Sequence, residues 1–152
     1  MATVPEFRAP NRAERLLNRA FGALVRVGVG LPHNYLVCVR GRRTGREHCT
    51  PVNVLDWGGR RFLVAGRGRT HWVRNAEIAG TVTLVRGRRR EHYRLRALTP
   101  NEKPAVLRAY LERFRVTVQR YFPVPAGSPE EAFRPYVHRF PAFELSETKE
   151  GP

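Results

Sequence analysis

The chain has almost no lysine. Only Lys103 and Lys149 occur in 152 residues, so 26 of the 28 basic residues are arginine. Acidic residues are also few, 13 in all, which leaves a net charge of +15 and a pI near 11.4. Such a surface attracts polyanions: nucleic acid, an anionic membrane or a multiply charged small ligand. No apolar run approaches the roughly 20 residues needed to cross a bilayer as a helix. Residues 1–10 lack a basic stretch followed by an apolar one, so no secretory signal is expected and the reading is cytoplasmic. There are only two cysteines, Cys38 and Cys49. They form no CxxC pair and have no histidine cluster beside them. Buried free thiols are therefore expected, ahead of a metal site or a disulfide.

Catalytic signatures are missing as well. The sequence contains no HExxH, GxSxG or P-loop pattern. No two carboxylates stand at a suggestive spacing within the strand segments. These gaps argue against a hydrolase with its own acid–base pair and suit a protein whose cofactor carries the reaction. The catalytic residues are accordingly unknown at this stage. No βαβ rhythm supports a Rossmann sheet.

What is present describes one globular domain over residues 1–152, with flexible ends at 1–10 and 147–152. Apolar residues make up 41%, too many for a disordered chain. Residues 11–29 have helical periodicity. Leu16, Leu17, Ala20, Phe21, Leu24 and Val25 share one face, and Arg12, Arg15, Arg19 and Arg26 share another. That helix either packs on the domain or touches anionic membrane. Strands are predicted over 34–40, 48–56 and 61–65, with Trp57-Gly58-Gly59 as a hairpin turn and Pro51 marking an edge or bulge. Thr70 is placed to cap a helix over 71–79 that Gly80 ends. A second hairpin, 81–86 and 91–98, turns at Gly87. Thr99-Pro100-Asn101-Glu102 reads as a capping box for a helix reaching about Tyr121, and Ser128-Pro129-Glu130-Glu131 as another. Phe140 to Leu145 reads as the closing strand. About six mostly antiparallel strands with inserted helices predict an α+β split β-barrel.

Two segments offer binding chemistry. The turn Gly41-Arg42-Arg43-Thr44-Gly45-Arg46 combines exposed backbone N–H groups, a hydroxyl and guanidinium forks suited to phosphate or carboxylate. It also reads as an ordinary hairpin with a solvated basic tip. The stretch Ala65-Gly66-Arg67-Gly68-Arg69-Thr70-His71-Trp72 runs from a strand end into a helix start. Its small residues admit a ligand near the backbone, and a helix N-terminus favours an anion. Trp72 would either cover a flat ring or anchor the helix in the core.

Together these segments resemble the deazaflavin-dependent nitroreductases, split-barrel enzymes that use coenzyme F420. The matching motifs are Gly41-Arg42-Arg43-Thr44-Gly45, then His48 where the family has arginine, then Pro51. Ala65-Gly66-Arg67-Gly68 and Trp72-Val73-Arg74-Asn75 follow, and Pro141 to Leu145 closes the match. Gly66 stands where a serine is often found. The resemblance implies an oxidoreductase with cofactor-binding residues Arg42, Arg43, Thr44, Gly45, His48, Pro51, Ala65, Gly66, Arg67, Gly68, Trp72 and Asn75, and no metal. It implies hydride transfer from the deazaflavin to a small-molecule substrate: a quinone, a nitro compound or an activated alkene. The anionic cofactor also fits the basic surface. Other readings remain: an FMN-binding split-barrel oxidoreductase, or a basic protein that binds lipid or nucleic acid without catalysis. No aromatic stripe interleaves with the basic residues in a nucleic-acid-binding motif, so nucleic acid is disfavoured. Peripheral membrane contact through residues 11–29 and a homodimer complete the expectations.

Overall fold

The first strand segment, Asn-Tyr-Leu-Val-Cys-Val-Arg, is apolar from Tyr35 to Val39, and successive side chains point to opposite faces, so both faces of this strand are covered. A computed structural model of the protein describes residues 34–148. It contains β1 (Asn34–Arg40), β2 (Glu47–Trp57), β3 (Arg60–Val64), α1 (His71–Ala79), β4 (Thr81–Arg86), β5 (Arg89–Ala97), α2 (Lys103–Val118) and β6 (Ala142–Glu147). Two 3-10 segments, Gln119–Tyr121 and Glu130–Arg139, lie between α2 and β6. The predicted helix over 11–29 lies outside the described residues.

The six strands close into a barrel in the order β1-β2-β3-β6-β5-β4, every neighbouring pair antiparallel. The α+β split-barrel expectation therefore holds. β2 changes partner along its length: residues up to Asn53 pair with β1 and those from Val54 pair with β3. Pro51, opposite Leu36, falls in the half that pairs on one side only, where a missing N–H is tolerated. The β2–β3 hairpin turns on Gly58 and Gly59, both at positive φ (62° and 74°). Two such positions in succession make the hairpin turn that matches strand twist, and glycine adopts them without steric cost.

Alternation then sorts the side chains. Val37, Val39, Leu63, Leu84 and Leu145 point into the barrel, where Trp72, Val73 and Ala76 of α1 join them. Thus α1 plugs one end of the barrel. On the outer face, Leu55, Phe62, Val64 and Ala142 pack under α2 and the 3-10 segments. Phe140 stacks on Phe122 with ring centroids 4.4 Å apart. Burying a side chain of this size contributes about 1.5–3 kcal/mol, so this outer layer holds α2 to the sheet.

Several boundaries differ from expectation. Thr99 and Glu102 do exchange capping bonds: Thr99 N–H donates to Glu102 Oε1 (3.0 Å) and Glu102 N–H donates to Thr99 Oγ1 (3.3 Å). Regular helix starts at Lys103, with Pro104 in its first turn, and is interrupted at Phe114 (φ −119°, ψ 22°). It becomes 3-10 at Gln119. Ser128 caps nothing: its hydroxyl donates to Pro125 O (2.6 Å), and Glu130–Arg139 is 3-10 with Pro135 inside it. Phe140 belongs to the end of that segment, so β6 starts two residues later than expected and continues to Glu147. The expected free thiols are overturned. Cys38 and Cys49 face each other in the β1–β2 register and form a disulfide. Spacing in sequence hid this pairing, because it depends on which residues the hairpin register sets opposite one another.

Candidate cofactor site

The β1–β2 turn is built to stand clear of the barrel. Gly41 N–H donates to Arg46 O (2.7 Å) and Gly45 N–H donates to Gly41 O (2.9 Å). Thr44 Oγ1 accepts from Arg46 N–H (3.2 Å), so this hydroxyl braces the turn. His48 lies against Gly41, where an added Cβ would come within 2.9 Å of the imidazole. A side chain at position 41 would have to displace the exposed His48 ring, so His48 forms one wall of the turn.

The turn is fastened to α1 by one residue. Buried Asn75 accepts at Oδ1 from Arg42 N–H (3.1 Å) and from the Arg42 guanidinium (2.8 Å). Arg42 also approaches His71 Nδ1 at 3.5 Å. Arg42 thus joins the two loops, while Arg43 and Arg46 extend into solvent and have no carboxylate partner among the described residues. Pro51 sits further along β2 on the outer face, beside Cys49 and Asn53, as alternation from inward Val52 requires.

The second segment leaves β3 at the same end of the barrel. Ala65 N–H donates to Pro141 O (2.8 Å), and its side chain is buried inside the barrel. Gly66 faces outward. Among the described residues, a Cβ there would meet only Tyr121, at 3.7 and 3.9 Å. Arg67 is half-buried, and Gly68 is buried at φ 89°. Thr70 occupies the N-cap position of α1 but makes no capping bond. Its hydroxyl is buried and without a hydrogen-bond partner among the described residues. The first turn of α1 contains no acidic residue, so its N–H groups present uncompensated positive potential. Trp72 is 8% exposed and packs against Phe143 inside the barrel, which is the core-anchor role.

One neighbour was invisible in the sequence. Tyr121 lies 55 positions after Gly66, in a 3-10 turn beyond the interruption of α2, and only the fold brings it to the strand end. Arg120 stacks over its ring at 4.8 Å.

A cavity of about 750 Å³ opens at the opposite mouth, lined by Tyr35, Trp57, Arg61, Arg89, Glu91 and Tyr93 among others. Its charges satisfy one another. Arg61 donates to both Asp56 oxygens (2.8 and 3.2 Å) and to Tyr93 Oη (2.9 Å), and Tyr93 donates to Glu91. Burial, then the bond to Glu91, pushes the Tyr93 phenol up to about 12. The size of this cavity does not outweigh that chemistry. At the α1 end, Arg43 and Arg46 have no carboxylate partner among the described residues.

The residues at the α1 end fit an anionic cofactor with a flat ring. Among the described residues Arg43 and Arg46 have no carboxylate partner and the buried Thr70 hydroxyl has no hydrogen-bond partner, and Gly66 presents backbone without a side chain. Residues 11–122 match the F420H(2)-dependent quinone reductase family. No curated protein matches the chain significantly. Among solved structures, the fold is similar to one described as a domain-swapped dimer (TM-score 0.53, 18% identity, 89% of this chain and 94% of that one). It is similar also to an F420-H2-dependent reductase, FDR-A (TM-score 0.52, 17% identity, 78% and 100%). A third is protein Atu2129 of Agrobacterium tumefaciens, of unknown function (TM-score 0.50, 17% identity, 95% and 59%). At these identities the likeness concerns the fold; the sequence match over residues 11–122 concerns the family, and by it the chain belongs to the F420H(2)-dependent quinone reductases, oxidoreductases whose cofactor is coenzyme F420.

Proposed function

We propose that this protein reduces a quinone, with nitro compounds and activated alkenes as alternative acceptors, at the outward face of Gly66. The observation that carries this reading is the Arg42–Asn75 contact, which holds the basic turn against α1 near its start. When bound, the cofactor supplies hydride chemistry. The chain supplies orientation and charge. Arg43, Arg46 and Arg67 would hold its anionic groups, with Thr44, Gly45 and His48 shaping the turn around them. The first N–H groups of α1 and the Thr70 hydroxyl add donors. Gly66 would let the ring approach the backbone, and Tyr121 would border the space where an acceptor stacks. Pro51 would border it from β2. Ala65, Gly68, Trp72 and Asn75 shape and brace the two loops from behind.

A side-chain general acid is not required by this arrangement, because orientation of donor and acceptor supplies much of the rate. Cytoplasmic operation belongs to the reading. So does a homodimer, the assembly to test by light scattering given the similar domain-swapped dimer. The deciding experiment uses reduced F420 carrying deuterium at the reactive ring carbon, under anaerobic conditions, with a soluble benzoquinone. A primary isotope effect in single turnover, with loss of the label from the cofactor as the quinone is reduced, supports direct transfer. Turnover with reduced FMN and none with reduced F420 would overturn the assignment.

A further inference from the structure

The disulfide encloses the turn. Cys38 on β1 and Cys49 on β2 face each other across the hairpin, and the covalent ring they close contains every residue from Val39 to His48. Arg42, Arg43, Thr44 and Arg46 are all inside it. The two sulfurs differ in access. Cys38 is 2% exposed, in an apolar patch with Leu36 and Val85, whereas Cys49 is only partly buried. Glu47 Oε1 lies 3.9 Å from Cys49 Sγ, and Arg90 pairs with that carboxylate at 2.9 Å.

We propose that Cys38–Cys49 is a reversible thiol–disulfide site that sets the order of the basic turn. A reducing thiolate attacks the accessible Cys49 sulfur, and the Cys38–Cys49 bond breaks. Cys38 leaves with the electron pair and takes up a proton. The second thiol of a dithiol reductant then attacks the reductant's own sulfur in the mixed disulfide, and Cys49 leaves as a thiol. The protein gains two electrons and two protons, and the dithiol becomes a disulfide. The β1–β2 strand pairing spans seven residue pairs and does not depend on the cross-link, so the barrel survives reduction. What changes is the freedom of the loop, because an open loop has more conformations to lose than a closed one. That the turn binds cofactor is the reading proposed above; the thiol chemistry does not require it.

The test uses the whole protein with dithiothreitol as reductant and no cofactor. Thiol titration of air-oxidised native protein should find no thiols, and after dithiothreitol without denaturant it should find two. Amide exchange at residues 41–46 should become several-fold faster in the reduced form, while the inner strands β3 and β6 stay protected. Equilibration with glutathione mixtures should move the protein between the two states and back. The double variant Cys38→Ser/Cys49→Ser should exchange like the reduced form whatever the buffer. Three results would overturn the proposal: two free thiols in the air-oxidised protein, a disulfide that dithiothreitol opens only after unfolding, or identical exchange at 41–46 in both states. Failure of F420 to bind in either state, with thiol and exchange behaviour as described, would count against the cofactor reading and leave this one standing.

Discussion

Arg42 and Arg43 are adjacent and chemically identical, yet the fold gives them different tasks. Arg42 is committed to Asn75 and His71, while Arg43 is exposed. The sequence marked both as anion ligands, because spacing alone does not say which guanidinium turns inward. Arg43→Ala should therefore weaken F420 binding without altering stability. Losing a charge-assisted contact costs about 1.5–3 kcal/mol, or roughly ten- to hundredfold in Kd, readable by fluorescence titration. Trp72 gives the opposite lesson. Its motif position suggested a ring cover or a core anchor, and burial against Phe143 makes it an anchor. Gly66 was legible as a small residue at a strand end, but its partner Tyr121 was not, since nothing local links the two. Gly66→Val would place its extra methyl groups beyond a Cβ already in van der Waals contact with Tyr121. Turnover should be abolished while the thermal midpoint moves little; full activity in this variant would remove the ring from Gly66.

At the scale of elements, the strands were legible and their joints were not. Alternation and glycine turns marked all six strands to within about two residues at each end. Ser128 and Thr70 carried capping signals, but Ser128 bonds Pro125 and Thr70 caps nothing. A capping motif promises a local bond, and at Ser128 a nearby carbonyl takes the hydroxyl instead. The contact between loop and helix rests on Asn75. Asn75→Ala leaves the Arg42 N–H and guanidinium without their acceptor, which should cost about 1–3 kcal/mol of stability and loosen the turn, measurable by denaturant unfolding. Strand closure has an electrostatic tie as well. Glu144 on β6 accepts from Arg60 of β3 and from Arg96 of β5, and Arg96 also donates to Glu102. Hydrogen bonds from Arg60, then Arg96, hold the Glu144 carboxyl at about 2, and Arg96 does the same for Glu102. Folded-state values below the ordinary carboxylate range stabilise the fold above about pH 4.5, and that contribution disappears as pH falls through 2. Glu144→Gln should lower Tm modestly at pH 7, the pairs being solvent-exposed, and the difference from wild type should vanish near pH 2. A difference that persists at pH 2 would mean packing, not charge.

Across the whole molecule, the charge of +15 was the plainest signal in the composition and the least specific. It fits nucleic acid, membrane and anionic cofactor equally; local arrangement separates them. Asp56, Glu91, Glu144 and Glu147 line the opposite mouth, where Arg60, Arg61 and Arg89 are paired. Among the described residues, Arg43, Arg46 and the start of α1 have no acidic partner at the other end. This polarity follows from closing the barrel, and no linear reading of the charges contains it. The most direct measurement is an equilibrium titration of the protein with F420, FMN and a short DNA duplex, each over a salt series, with Arg43→Ala beside wild type. F420 should bind most tightly, its affinity should fall as salt screens the arginines, and Arg43→Ala should lose about ten- to hundredfold. F420 binding no tighter than FMN, or equal binding by the variant, would contradict the account.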